Sequence, residues 1–531
     1  MVPSDRFTTV HRELERKAAA FGNRPFLYFE DSVFGYADVD RQACRVAAGF
    51  RRLGFGKGDH VAILAGNRPE FLFLWFGLSK LGLVEVPLNT AHKGEMLAYM
   101  LRRSACRALV VEAALVDQVA PVLASLPDLR QVIVLDGGAA ATLGERPAMT
   151  YDALVDNDGA FDPVEVLWND PAAIIFTSGT TGPSKGAVLP QNYPLQAAKV
   201  IIESLGYDES DRLYTALPLF HGNAQFLSTM PALVSGAAMV LARRFSASSF
   251  WPEVRRHGCT AFNAIGGILT ILMKADAGPE DADNPLTRIF TAGAPAALHR
   301  AFESRFGLKL VEGYGMSEIG MPLMTQDGHG RPGSCGTPHR DYQLRVVDDD
   351  GREVPPGVPG ELLVRPLVPY AMQLEYYGMP EKTVEAWRDL WFHTGDAVST
   401  DEDGWFYFLD RKKDAIRRRG ENISSFEVEA VVNAHPAVRE SAAVAVPSDL
   451  GEDEVLICVV PKDGLTLAPS ELLAHCRPRM ADFMVPRFVR ILTALPKTPT
   501  ERVEKYRLRA EGVTADTWDS IPAPLDSERH G

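Results

Sequence analysis

Short, wholly apolar runs alternate along the chain with stretches of helical character. His60–Ala65, Leu83–Val86, Ala108–Val111 and Gln131–Leu135 are β-type runs with helical segments near them. Further runs follow at Ala172–Phe176, Ala237–Leu241, Thr260–Ala264, Arg288–Thr291 and Lys309–Val311. Strands that alternate with helices predict α/β layers with parallel pairing. Asn67 is placed to cap a helix with Pro69 in its first turn. From about Ser334 the texture becomes turn-rich. Gln343–Val347, Glu361–Arg365 and Trp405–Leu409 predict a β-rich subdomain closing the large domain. The basic run Asp410–Arg419 marks a boundary, giving an N-terminal domain over 1–410 and a small C-terminal domain over 411–531. In the second, Ser424-x-x-Glu427 reads as a capping box for a helix with Val428, Val431 and Val432. Ser441–Val446 and Glu454–Val460 are strand candidates, Pro469–Arg477 is a helix candidate, and the polar tail beyond Thr514 is expected to fray. The fold class is α/β: a large domain of layered α/β subdomains with a β-rich subdomain, then a small α+β domain.

A chain of 531 residues is too long for one core, and 46 % hydrophobic content is ordinary for a globular protein. The net charge of −14 argues against nucleic-acid binding and against a basic membrane-surface protein. It leaves room for a local basic patch that meets a small anion. Six scattered cysteines with no Cys-x-x-Cys pair predict a reduced, cytoplasmic setting and no zinc site. The first twenty residues have no signal-type apolar core, and Phe71–Val86, the most apolar stretch, is too short to span a bilayer.

Residues 177–186 read Thr-Ser-Gly-Thr-Thr-Gly-Pro-Ser-Lys-Gly and follow the apolar run Ala172–Phe176. A buried strand entering a Gly/Ser/Thr-rich turn with one lysine is a phosphate cradle. Glycines admit an anion to the backbone, amides and hydroxyls donate to it, and Lys185 adds a point charge. The Walker spacing is absent. The run resembles the phosphate loop of the adenylate-forming enzymes, the acyl-CoA synthetase and luciferase superfamily. Further strings carry the same resemblance: Pro218-Leu-Phe-His-Gly-Asn-Ala-Gln225, Thr291-Ala-Gly-Ala-Pro295, Glu312-Gly-Tyr-Gly-Met-Ser-Glu318, Trp391-Phe-His-Thr-Gly-Asp396 and Asp410-Arg-Lys-Lys-Asp-Ala-Ile-Arg-Arg-Arg-Gly-Glu-Asn422. The wording is most similar to acyl-CoA ligases of the crotonobetaine/carnitine-CoA ligase type, and the resemblance runs over roughly residues 10 to 510.

The resemblance implies two half-reactions. A carboxylate attacks the α-phosphorus of ATP to give acyl-AMP and pyrophosphate; the small, mobile domain then turns about a hinge near Lys413, and the thiol of coenzyme A takes the acyl group. It implies nucleotide contacts from Thr177, Ser178, Gly179, Thr180, Thr181, Gly182, Lys185, Gly293, Ala294, Pro295, Gly313, Tyr314, Gly315, Ser317, Asp396 and Arg411. Tyr314 offers a flat face to a purine. Glu318 is expected to hold Mg²⁺ directly or through water, Asp396 the ribose hydroxyls, and His221 to border the acyl site. The acyl wall is expected to include Phe226, Asn263, Ile265, Gly266, Gly267, Met316 and Met321. Six of the nine residues 411–419 are basic, and Lys413, Arg417, Arg418, Arg419 and Gly420 are expected to meet coenzyme A. No aspartate stands in the 218–225 string where amino-acid-activating relatives bind an α-amino group, which disfavours amino-acid substrates.

One string departs from the family. The usual Pro-Lys-Thr-x-x-Gly-Lys, whose last lysine stabilises the adenylation transition state, is here Pro496-Lys-Thr-Pro-Thr-Glu-Arg502. Arginine is bulkier than an ammonium and differently directed. Losing one preorganised donor costs about 2.7–4 kcal/mol. Lys505, three residues on, points to the opposite face of an extended segment. The sequence leaves three readings open. The first is a complete ligase using Arg502 or Lys505. The second is an enzyme weak in adenylation that acts on preformed acyl-AMP and coenzyme A, supplied by a separate adenylating enzyme. The third is a non-catalytic nucleotide-binding scaffold. Transfer to a carrier-protein arm is disfavoured by the basic cluster.

Overall fold

The computed structural model describes residues 8–138, 142–177, 183–294, 296–325, 330–411, 415–448, 451–497 and 503–521. They form two compact units. The first holds the chain up to Thr90, Leu97–Thr177 and Lys185 to Arg411; the second holds Ala91–Met96, Ser184 and the chain from Ala415.

Two nine-stranded sheets of described residues build the first unit. One runs in the order Thr337–Pro338, Gly320–Met324, Lys309–Met316, Arg288–Ala292, Ala261–Ile265, Arg212–Thr215, Ala238–Leu241, Pro25–Phe29 and Ser32–Gly35. The other runs Glu375–Tyr376, Lys185–Pro190, Pro171–Thr177, Val84–Pro87, His60–Leu64, Ala108–Glu112, Gln131–Leu135, Arg146–Thr150 and Thr142–Leu143. The interior pairs are parallel, as strands separated by helices require. Antiparallel hairpins finish the edges. Val61–Leu64 and Val110 are fully buried, which is why the strands read as unbroken apolar runs. Tyr342–Val347, Gly360–Pro366, Trp387–Arg388, Trp391–Thr400 and Phe406–Arg411 make a five-stranded antiparallel sheet, the β-rich subdomain. Its hairpin between Arg388 and Trp391 turns on Asp389 and Leu390, both with positive φ, +52° and +66°. Such a two-residue turn normally takes Asn and Gly.

Phe71–Val86 is a helix, Pro69–Leu81, and the start of a strand. Its one lysine, Lys80, is buried and paired with Glu15 at 2.5 Å and Asp40 at 2.9 Å. Asn67 does not cap this helix. Its amide instead donates to Leu217 O and Ala242 O and accepts from Leu219 N, a tertiary use that overrides the cap. Among the described residues no helix is long and apolar enough to cross a membrane.

The second unit is α+β. A hairpin, Ala415–Arg418 with Glu421–Ser424, leads to the helix Ser425–Asn433. Ser424 occupies the N-cap position without a side-chain cap bond, so the anticipated capping box is not formed. A four-stranded sheet, Val438–Pro447, Asp453–Pro461, Phe488–Ile491 and Trp518–Asp519, packs with the helices Pro469–Cys476 and Lys505–Glu511. The polar tail is pinned at Trp518–Asp519 by pairing with Phe488 and Val489 rather than frayed there. All six cysteines are free thiols. Cys106, Cys259, Cys458 and Cys476 are buried, and burial pushes these four and Cys335 up to about 12. Cys44 is raised for the same reason.

Candidate nucleotide and acyl site

The two strands that flank the Gly/Ser/Thr-rich string pair with each other. Pro171–Thr177 pairs antiparallel with Lys185–Pro190, and Thr177 faces Lys185 in register. Ser178–Gly182 lie outside the described residues, as do Pro295, Lys413, Glu501, Arg502 and the Arg411 side chain. At the mouth of the hairpin Thr177 Oγ1 donates to Glu318 Oε1 at 2.9 Å. The same oxygen accepts from the Tyr376 hydroxyl at 3.0 Å. Glu318 and Tyr376 are buried, and Lys185 Nζ lies 4.1 Å from the centre of the Tyr376 ring. Burial and then the Glu318 charge push the Tyr376 hydroxyl above its ordinary value, so it stays a donor.

Tyr314 OH donates to Asp396 Oδ2 at 2.6 Å, both groups being buried. Asp396 sits at a turn fixed from two sides. Thr394 Oγ1 accepts from Asp396 N and donates to Leu362 O, and Gly395 N donates to Glu361 Oε1 at 3.1 Å. The Phe408 ring lies stacked 6.3 Å from Tyr314, and Arg411 is opposite Asp396 in register. Glu312 is buried, and burial pushes its carboxyl up to about 7 against hydrogen bonds from Gly333 and Ala294 amides. Gly313 and Gly315 are required by the hairpin itself. A Cβ would lie 2.5 Å from Met324 Sδ at Gly313 and 2.2 Å from Gly320 O at Gly315. Their spacing therefore reports hairpin packing whether or not a nucleotide touches them. Ser317 is half-buried.

Gly293 has φ +71°, and a Cβ on Gly266 would lie 2.4 Å from Gly293 O. That close approach sets the start of the helix Gly266–Lys274 against Gly293 and Ala294. His221 is half-buried and stands edge-on to Phe220 at 4.8 Å. Phe226 lies on a π-helical turn, Gln225–Thr229, edge-on to Tyr193 at 5.3 Å and Trp75 at 6.1 Å. Asn263 spends its amide on this turn, donating to Leu227 O and, at 2.9 Å, to Ser228 Oγ. Its side chain thus braces residues 227 and 228. Met321 is buried beside Gly315, and Met316 is half-buried.

In the second unit the hairpin turns on Arg419 and Gly420, with φ +55° and +80°, so Arg419 is held exposed at the tip. Arg417 is exposed as well. Arg418 is not available to a ligand. It is buried, paired with Glu454 at 2.6 Å, and donates to Phe483 O and Val485 O. Its reading as a coenzyme A contact is replaced by a structural one, because alternate residues of a strand face opposite sides. Lys505 begins a helix instead of lying on an extended segment. Its Nζ donates to Ser425 Oγ at 2.7 Å and pairs with Glu429 at 2.7 Å. Tyr376 and Glu361 were not anticipated. Tyr376 lies on a two-residue strand far from its partner in sequence, and only the fold reveals it.

The family of AMP-binding enzymes matches residues 14–372, and the C-terminal domain of AMP-binding enzymes matches residues 427–502. The crotonobetaine/carnitine–CoA ligase of Salmonella paratyphi A is 32 % identical over 507 residues, covering 93 % of this chain and 97 % of that one. Among solved structures, an anthranilate CoA ligase in complex with anthranoyl-AMP superposes with a TM-score of 0.72 at 28 % identity, covering 96 % and 98 % of the two chains. The ATP-bound MatB of Rhodopseudomonas palustris gives 0.69 at 26 % identity, covering 95 % and 99 %. The chain therefore belongs to the AMP-binding, adenylate-forming enzymes and is an acid–thiol ligase of the acyl-CoA synthetase family.

Proposed function

We propose that this enzyme forms an acyl-CoA thioester from a carboxylic acid through acyl-AMP, and that adenylation is its weaker half-reaction. The observation that carries the reading is the meeting of three distant motifs and Tyr376: Thr177 and Tyr376 on Glu318, and Tyr314 on Asp396. In this reading Asp396 accepts from a ribose and Tyr314 stands beside it for the purine. Lys185 and the 177–184 segment supply the phosphate cradle. Glu318, a buried carboxylate, fits a magnesium site of the kind that uses one carboxylate and the phosphates of its nucleotide. Magnesium there would neutralise phosphate charge. Thr177 and Tyr376 would hold the carboxylate in place for it. The exposed Arg417 and Arg419, at the tip hairpin, offer cations to the phosphates of coenzyme A.

The weakness in adenylation follows from Glu501 and Arg502 standing where the family has glycine and lysine. Lys505 does not make good the loss, because Glu429 and Ser425 already hold its ammonium. The acyl wall of Phe226, Ile265, Gly266 and Met321 suits an apolar acid. The test is acyl-CoA formation across a panel of acids, run from acid plus ATP and from preformed acyl-adenylate. Product at least tenfold faster from the adenylate, with Arg502→Lys closing the gap, is the expected result. Equal rates from both starting points would refute the weak half-reaction, and no product from either would refute the ligase reading.

A further inference from the structure

Glu85 is fully buried on Val84–Pro87, an interior strand paired with His60–Leu64 and Pro171–Thr177. A carboxyl in such a place is unusual. Burial holds it well above the usual carboxylate range, against the hydrogen bond from Gln225. Gln225 Nε2 donates to Glu85 Oε1 at 3.0 Å and to Leu219 O at 2.8 Å. Glu85 Oε2 and Gln225 Oε1 make no hydrogen bond to protein. Gln225 is the first residue of the π-helical turn that carries Phe226. Such turns are strained departures from the α-helix and recur at functional sites.

Three more buried side chains grip the same segment. Thr229 Oγ1 donates to Ala224 O at 2.9 Å across the turn. Asn263 holds Leu227 O and Ser228 from the strand Ala261–Ile265. Asn67 holds Leu217 O and Leu219 N, just before His221. Polar groups from strands of both nine-stranded sheets therefore converge on residues 217–229, with Glu85 the group drawn from the interior of the second sheet. A Leu at position 85 would satisfy burial alone. The carboxyl adds a hydrogen bond to Gln225, whose side chain joins the His221 loop to the π turn.

We propose that Glu85 is a positioning residue for the acid subsite: through Gln225 it sets the placement of Phe226 and the His221 loop, and so determines which acyl groups fit. The inference rests on the assignment of residues 221–226 to the acyl wall made above.

The experiment compares the unaltered enzyme with Glu85→Gln and Glu85→Leu on a panel of straight-chain and aromatic acyl-adenylates. It measures KM and kcat with coenzyme A, and adenylate binding by the shift in thermal unfolding, which needs no turnover. Glu85→Gln keeps an acceptor for Gln225 and is expected to retain the order of preference. Glu85→Leu suits the buried strand and folds, but is expected to raise KM and weaken binding of the preferred adenylate about tenfold. It is also expected to reorder the panel, while KM for coenzyme A stays within about twofold. An unchanged order and KM in Glu85→Leu would overturn the proposal. So would an equal loss of kcat for every adenylate at constant KM, the mark of a merely structural role. Adenylates that bind but are not turned over, even by the unaltered enzyme, would sink the ligase reading, and the binding series would still decide the role of Glu85.

Discussion

Removing one hydroxyl isolates the support of Glu318. In Tyr376→Phe the ring stays beneath Lys185, 4.1 Å from its ammonium, so the cation–π contact is retained. The donor at 3.0 Å from Glu318 Oε1 is lost, and Thr177 at 2.9 Å remains. A hydrogen bond to a charged group contributes about 1.5–3 kcal/mol. If half of this reaches the carboxylate's hold on magnesium, the half-saturating Mg²⁺ concentration rises roughly 3- to 10-fold. The assay is calorimetric ATP binding titrated against Mg²⁺, which avoids dependence on a slow adenylation step. Acyl-CoA formation from preformed adenylate is expected to stay within about twofold, since that step contains no pyrophosphate to be held. Because Tyr376 stays protonated, the effect is expected to be the same from pH 6 to 9. An unchanged Mg²⁺ dependence would refute the assignment of Glu318 and Tyr376 as a supported cation site.

Lys505→Met is expected to destabilise the second unit by about 1–3 kcal/mol, read from its unfolding midpoint, because Glu429 and Ser425 lose their shared partner. Its adenylation rate is expected to match that of the unaltered enzyme; a hundredfold fall would mean Lys505 acts in catalysis after all. Leu390→Gly removes a side chain that is 78 % exposed from a left-handed position. It is expected to stabilise the protein by about 0.5–1 kcal/mol, the relief of strain less the added chain entropy, as seen in the denaturation midpoint. Glu312 has its folded pKa raised to about 7, so the stability it contributes is full below its unfolded value and lost as pH rises through about 7. Glu312→Gln is expected to flatten stability between pH 5 and 8; an unaltered profile would show the carboxyl does not titrate there.

The interior strands were legible because both faces are covered. Gln131–Leu135 coincides with its predicted run, and His60–Leu64 differs by one residue. Caps were less legible, since Asn67 found tertiary partners stronger than a local amide and Ser424 left its cap bond unmade. The return strand Lys185–Pro190 was missed because the loop before it reads like any phosphate loop, and its antiparallel pairing is a fact of the fold. The inward turn of Arg418 was readable in principle: in a hairpin, positions 416 and 418 share the side opposite 417 and 419. Charge clustering hid it. The π turn had no period to announce it. Residues 226–229 are apolar and hydroxyl-bearing in a pattern equally at home in an α-helix, and only the grip of Asn263, Gln225 and Thr229 shows why the helix widens there.

The six unpaired cysteines bear on life beside a thiol substrate. Disulfide exchange proceeds through the thiolate and needs access. Four of these sulfurs are sealed in the interior, and all six are pushed toward the protonated form by burial. With coenzyme A as the proposed acceptor, its oxidised disulfide is met as well. This enzyme offers that reagent almost no foothold, so oxidation of the coenzyme pool would starve the reaction of its acceptor without scarring the catalyst.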